Sequence, residues 1–453
     1  MTPLWSAHDL QQATGGTFTR GFDATGVSID SRTLAPGDLF VALRGEHGDG
    51  HDHIAAAFAA GAAGAMVHLP VTNGDAVLLV DDTQAGLMRL GAFARARFGG
   101  RVVAVTGSVG KTTTKEMMRT ALSAQGETHA AVASYNNQWG VPLTLARLPP
   151  KAAFCVAEIG MNHPGEIEPL ARIAQPHVAL ITAIERVHIG NMGSLDAIAD
   201  EKAGVLRALV AGGVAVLPAD SPMLSRLKKA VPAEARLMTF GTGPEADAEL
   251  LEATSDADGT SLRARVGGAT LAVRIAAPGR HMALDAVAAL AAVAALGADP
   301  TAGARALAGF APLSGRGARR TITVPGGTAL LIDESYNASG PSVRAALMVL
   351  ALQQASRRVA VLGDMLELGE ASDAEHRDLA PFVAAGADIL YACGPAMRAL
   401  FDAVAPALRG AHAADSAALA PIVRAALRPG DNVLVKGSLG SRMRTIVDAI
   451  EQR

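Results

Sequence analysis

Residues Val102 to Met117 read "VVAVTGSVGKTTTKEM". An apolar run stops at Gly107, and Lys111-Thr112-Thr113-Thr114 opens a segment of helical character. A strand that turns through glycines into a helix suits a phosphate group. Gly107 and Gly110, with Ser108 between them, let the backbone aim its N–H groups at the anion, and the helix adds its positive end. Lys111 is expected to reach a β- or γ-phosphate, and a hydroxyl from Thr112 or Thr113 to ligate Mg²⁺. The stretch departs from the general GxxxxGK[ST] form, because Val105 stands at the first glycine position. A plain glycine turn between strand and helix is the simpler alternative. Read alone, the stretch predicts nucleotide binding and leaves the reaction open.

The rest of the chain surrounds this stretch with three blocks. At 453 residues and 50% hydrophobic, the chain is long enough for about three domains. Residues 1–100 alternate short strand-like runs ("GVSIDSR", "GDLFVAL", "GAMVHL", "AVLLVDD") with a helical segment, which predicts a small mixed α/β domain. From Arg101, "RVVAVTG", "AFCVAEIG" and "HVALITAI" are continuous apolar strands of the kind buried on both faces, each followed by a helix. They predict a P-loop domain built on a parallel sheet over 101–313. "APLSGRGARR" reads as a linker, and "TALLIDE", "RRVAVLGD", "ADILYACG" and "DNVLVKG" predict a Rossmann-like α/β domain over 314–453. The net charge of −3 offers no basic field for nucleic acid. Cys155 and Cys393 lie inside apolar runs and read as buried small hydrophobes. No basic-then-apolar leader opens the chain, and "MALDAVAALAAVAALGA" is too short and too alanine-rich for a membrane span. A cytoplasmic, monomeric protein is expected.

Several polar residues fall at carboxyl ends of predicted strands, where open α/β sheets bind ligands. Glu158 ends "FCVAE" and suits Mg²⁺, although a solvated strand-end glutamate would look the same. His188 follows the next strand, and Lys202 sits in a predicted helix starting at Ser194; both have ordinary surface readings. Asp333, Tyr336 and Asn337 end another strand and suit a nucleobase or ribose, or simply a capped loop. The turn "KGSLGSRMR", with Lys436 and Arg442, offers N–H groups and cations to a carboxylate. Arg316 in "GRG" stands at an interdomain hinge, from which closure would carry it to a phosphate.

Taken together, "SIDSRTLAPGDLFVALRGEHGDGHD", "TGSVGKTTTKEM", "NNQWGVPLTL", "AEIGMNHPGEI", "VHIGNMGSLDAIADEK", "PGRHMALDA", "SGRG", "DESYNAS", "VLGDMLELGE" and "VKGSLGSRM" resemble the ATP-dependent Mur ligases of peptidoglycan synthesis along nearly the whole chain. "SYNA", "NNxxGVPLTL", "GMNHPGEI" and "LGDMLELGE" resemble the branch that adds D-alanyl-D-alanine to a UDP-N-acetylmuramoyl-tripeptide. The resemblance implies ATP and two Mg²⁺ ions as cofactors, with these small molecules as partners and no nucleic acid. It implies that Ser31 and Arg32 lie near uridine and pyrophosphate, and that Lys111, Thr112 and Thr113 hold ATP. It places Glu158 and His188 on the metals, and Asn136, Asn137 and His281 around substrate and nucleotide. Lys202 matches the lysine that the family carries as a carbamate. Asp333, Tyr336 and Asn337 would close on adenosine, with Lys436 and Ser438 helping to place the dipeptide. Met282 and Asp285 stand where many relatives have asparagines, and Leu439 where Arg or Asn is frequent, so no role is carried to these three. Another Mur ligase, a folylpolyglutamate-type ligase and a non-ligase P-loop ATPase stay open as alternatives.

Overall fold

The computed structural model describes residues 3–45, 48–70, 75–132 and 134–451. Glu46 and His47, within the first motif of the resemblance, lie outside the described residues. Three sheets follow one another along the chain, in a mixed α/β architecture. The first has five strands. Gly26–Ser28, Asp38–Val41, Gly64–Val67 and Val77–Leu79 run parallel, and Thr17–Phe18 pairs antiparallel at the edge.

The second sheet has nine strands, and Arg101–Thr106 lies inside it, flanked by Phe154–Glu158 and Val178–Ile181. After Arg101–Thr106 the chain builds Thr128–Ala130 and Phe154–Glu158 on one side, then crosses to Val178–Ile181 on the other. Strand order reverses there, which opens a crevice at the carboxyl end of the central strand. Register sets what meets in that crevice. Val105 pairs with Glu158 and Thr106 with Ile181, so the phosphate loop, Glu158 and the segment leading to His188 leave the sheet side by side. Helices Lys111–Ser123 and Arg280–Ala295 cover one face in a single apolar core, while Gly140–Ala146, Ile167–Ala174 and Leu195–Lys202 cover the other.

This sheet is larger than the sequence reading expected. Beyond Val214–Pro218 and Arg236–Gly241 it continues into Ala248–Ser255, Thr260–Val266 and Ala269–Ile275, the last two antiparallel. The third sheet orders Ala318–Val324, Gly327–Glu334, Asp431–Lys436, Arg357–Gly363, Ile389–Cys393 and Arg409–Ala413, parallel except for the first. Part of "APLSGRGARR" is therefore not linker. Ala318, Arg319 and Arg320 already form an edge strand, paired through Ala318 with Asp333. No described helix is long and apolar enough to cross a membrane.

Side chains knit the first unit to the second. Trp5 is fully buried and its indole N–H donates to the Ala146 carbonyl at 2.9 Å. The Arg97 guanidinium lies 4.2 Å over its ring. Arg95, from helix Thr83–Ala96, donates to the Ala174 and Gln175 carbonyls, taking up the free end of Ile167–Ala174. Trp5→Ala is expected to destabilise this unit by about 3–5 kcal/mol. Urea unfolding followed by Trp139 emission checks this, and an unchanged midpoint would contradict the anchoring role.

Candidate active site

The phosphate loop is held by its neighbours before any ligand is considered. Gly107 has φ +149°, and an added Cβ would fall 1.9 Å from the Thr182 hydroxyl, so only glycine lets the loop pass here. The Ser108 hydroxyl donates to the Glu185 carbonyl at 3.0 Å and accepts from the Glu185 N–H at 2.9 Å. Gly110, at φ +83°, forms the N-cap of helix Lys111–Ser123, whose first N–H groups therefore face the crevice. The Lys111 ammonium donates to the Gly107 carbonyl at 2.8 Å. Burial pushes its pKa down; Glu158 opposes this and the Arg316 cation adds to it.

Glu158 is the hub of the crevice. It is 1% exposed, and the Thr112 hydroxyl donates to its carboxylate at 2.9 Å. The Asn136 amide donates to it at 2.8 Å, and the Lys115 ammonium stands 4.0 Å away. Lys115 also pairs with Glu116 at 3.0 Å and donates to the Ala131 carbonyl at 2.7 Å. Around Thr112, the Ser134 hydroxyl lies 3.2 Å away and accepts at 2.7 Å from Arg316, whose guanidinium stacks 4.3 Å from the Tyr336 ring centroid. Arg316 thus reaches Ser134, beside the phosphate-loop helix, from the third unit.

Lys202 ends helix Leu195–Lys202 and is 1% exposed. Among the described residues no ion pair reaches its ammonium. Burial holds its pKa well below the usual lysine range, the nearby Lys111 charge pushes it lower still, and Glu201 opposes both. His188 sits in the left-handed region at φ +60° and starts the short helix Ile189–Met192. Its Nδ1 contacts the Glu367 carboxylate, and the Gly190 N–H donates to the Glu367 carbonyl at 3.0 Å. Glu367 belongs to the third unit, so His188 is gripped across the domain boundary.

Other expected residues have structural partners of their own. The Asn137 side chain accepts from the Trp139 and Gly140 N–H groups and caps helix Gly140–Ala146. Asp333 is fully buried. Burial would raise its pKa, but hydrogen bonds from Ser335, Arg320 and the Gly315 N–H outweigh it and hold the carboxyl below the usual range. Lys436 pairs with Glu334 at 3.0 Å and donates to the Asn337 carbonyl at 3.0 Å. Ser438 accepts from the Leu366 N–H at 3.0 Å. Asp333, Lys436 and Ser438 therefore shape the third unit's face. His281 lines a cleft between the second and third units with Pro312, Arg319 and Glu334. Burial lowers its pKa, Glu334 opposes and Lys436 adds. Arg32 is exposed and bonded to Asp30, on the loop beside Ser31 that follows Gly26–Ser28, with Tyr135 of the second unit nearby. Thr113 is half-buried at the start of the helix.

The sequence reading gave no role to Lys115, Ser134 or Glu367. Lys115 was within reach, since it lies four residues after Lys111 and hence on the same helical face. Ser134 and Glu367 carry no local signal; only the fold brings them to Thr112 and His188.

Three family profiles match the chain: "Mur ligase family, catalytic domain" over 23–83, "Mur ligase middle domain" over 105–293, and "Mur ligase, glutamate ligase domain" over 318–439. The UDP-N-acetylmuramoyl-tripeptide--D-alanyl-D-alanine ligase of Bacillus subtilis is 33% identical, across 94% of this chain and 93% of that protein. The crystal structure of MurF from Acinetobacter baumannii aligns with a TM-score of 0.86 at 32% identity over 99% of each chain. That of the MurF ligase from Thermotoga maritima, in complex with ADP, aligns with a TM-score of 0.78 at 25% identity over 94% of this chain and 97% of that one. Matched from its first sheet to its last, with a phosphate loop facing a buried glutamate across a strand-order reversal, the chain belongs to the Mur ligase family.

Proposed function

We propose that this chain joins the amino group of D-alanyl-D-alanine to the terminal carboxylate of UDP-N-acetylmuramoyl-tripeptide, converting ATP to ADP and phosphate, as a step of peptidoglycan precursor synthesis. The observation that carries the reading is the convergence of Lys111, Thr112, Glu158 and Lys202 at one crevice. It stands in a chain that matches tripeptide–dipeptide ligases over nearly their whole length. In this proposal residues 1–100 hold the UDP-sugar, 101–313 ATP, and 314–453 the dipeptide. The protein acts as a monomer in the cytoplasm, where nucleotide-activated substrates are made.

The chemistry sets what the crevice must do. A carboxylate is a poor acyl donor because oxide is a poor leaving group. Attack of one carboxylate oxygen on the γ-phosphorus breaks the bond to ADP and leaves an acyl phosphate. The dipeptide amine, once deprotonated, adds to its carbonyl carbon, and the tetrahedral adduct expels phosphate and leaves an amide. The first step drives an anion at a polyanion, so its barrier is largely electrostatic. Lys111 and the N-terminus of helix Lys111–Ser123 supply positive charge at the phosphates, and Arg316 adds a second cation through Ser134.

Thr112 and Glu158 present hard oxygen donors, and among the described residues no larger His, Cys, Asp or Glu cage is present. That donor set fits Mg²⁺, which keeps water and substrate phosphate among its ligands. When bound, Mg²⁺ neutralises phosphoryl charge. His188 would offer Nε2 to a second ion while Glu367 fixes the ring through Nδ1. Lys202 is suited to carbamylation. Burial and the Lys111 charge favour its neutral amine, the form that adds to CO₂ with loss of a proton. The product replaces a neutral amine with an anion that meets the Lys111 charge.

Lys111→Ala is expected to lower phosphate release in the complete reaction by about 10²–10³-fold or more, while binding of the UDP-substrate persists. Near-native turnover would end the phosphate-loop assignment. Lys202→Ala should impair turnover and regain part of it with formate or acetate; full activity without additive would remove the carbamate. Specificity is checked by mass spectrometry of products from ATP and a panel of UDP-muramyl peptides with D-alanyl-D-alanine or single amino acids. An amide formed only with a single amino acid would point to a different branch of the family.

A further inference from the structure

Asp285 lies on helix Arg280–Ala295, which packs along the phosphate-loop helix Lys111–Ser123 in one apolar core. Its carboxyl group is pressed against Gly110: a Cβ built there would stand 2.6 Å from Asp285 Oδ1. The polar side chain beside it is Thr114, whose fully buried hydroxyl has no partner in hydrogen-bond geometry. A half-buried carboxyl group thus touches the loop that must receive a polyanion, and among the described residues no cation pairs with it.

The charged groups around it are engaged elsewhere. On the facing helix, the Lys111 ammonium donates to Gly107, while Lys115 and Arg119 pair with Glu116. On the strands beneath, Glu249 pairs with Arg265 and Glu252 with Arg263, and Arg236 is exposed at the start of its strand. Arg305 lies on the neighbouring helix Pro300–Leu307, and Arg280 and His281 on Asp285's own first turn. None of these charges perturbs Asp285. Burial raises its pKa to about 8, against a smaller pull from Thr114.

We propose that Asp285 serves the phosphate loop as a neutral, proton-bearing carboxyl group, so that ATP binds with that proton retained and more weakly once it is lost. This rests on the proposed use of ATP at the loop. The sign follows from charge. Ionised, Asp285 would set a carboxylate beside Gly110 and repel the phosphates; protonated, it adds no charge and carries an O–H donor. Bound ATP in turn holds the proton more tightly, so affinity falls as pH rises through about 8. Asp285 acts here as a positioning residue and takes no part in bond making.

The test is Mg-ATP binding to the whole protein by calorimetry at pH 7 and pH 9, native and Asp285→Asn. An amide keeps the shape and a donor but cannot ionise. If ATP raises the Asp285 pKa by about one unit, the ratio of variant to native affinity should rise about fivefold between the two pH values. A ratio that stays constant overturns the proposal, whatever the lysines add to both slopes. In the native protein, the infrared carbonyl band of a protonated carboxyl should vanish between pH 7 and 9, and at higher pH with ATP bound. A native protein with no such band overturns the proposal without recourse to a variant. Native protein that binds no ATP at either pH would instead overturn the ligase reading on which the inference rests.

Discussion

Two desolvated lysines, Lys111 half-buried at the phosphate loop and Lys202 fully buried within its field, set the problem that the rest of the structure answers. Desolvation lowers the affinity of both Lys111 and Lys202 for their protons; the Lys111 charge lowers that of Lys202 further, and the Arg316 charge that of Lys111. Removing a cation from water costs several kcal/mol even after relaxation, and a like charge nearby adds to the cost. Glu158 offsets part of this for Lys111. The remainder is a site whose electrostatics are completed by anions from outside. A triphosphate meeting a carboxylate is such a partner, and a site poised this way favours the phosphoryl-transfer transition state over water.

The fold makes that concentration of charge possible. A single strand-order reversal brings the loop after Thr106, the end of Phe154–Glu158 and the segment after Ile181 to one edge. Helices on both faces seal the sheet, so charges at its end sit in a low-dielectric rim. The third unit then touches the crevice through Arg316 at Ser134 and through Glu367 at His188. Both contacts join side chains far apart in sequence, so the crevice is whole only with the third unit docked. Asp285 extends the same logic inward, because a neutral carboxyl behind Gly110 leaves the field of the loop positive.

Legibility in the sequence followed the range of the interactions. Gly107, Gly110, Lys111 and Thr112 could be read because a strand, a turn and a helix follow one another within sixteen residues. Glu158 could be suspected from its place at a strand end, whereas its capture by Thr112 and Asn136 depends on register. Lys202 had no local mark at all; only its likeness to a family position singled it out, and the buried setting is a property of the packed helix. The strands Thr260–Val266 and Ala269–Ile275 were overlooked although "TSLRARV" and "ATLAVRI" alternate inside and outside residue by residue, a half-buried edge pattern unlike the apolar runs around it. The linker reading of "GARR" failed because an edge strand with one exposed face tolerates arginines.

The central claim is that the crevice activates a carboxylate by phosphoryl transfer before the amine arrives. The direct measurement uses UDP-muramyl-tripeptide labelled with ¹⁸O in its terminal carboxylate, with mass analysis of the phosphate released during ligation. An acyl phosphate requires one labelled oxygen in each phosphate, with the other retained in the new amide. Unlabelled phosphate accompanying amide formation would mean that ATP is cleaved by water, and would contradict the account.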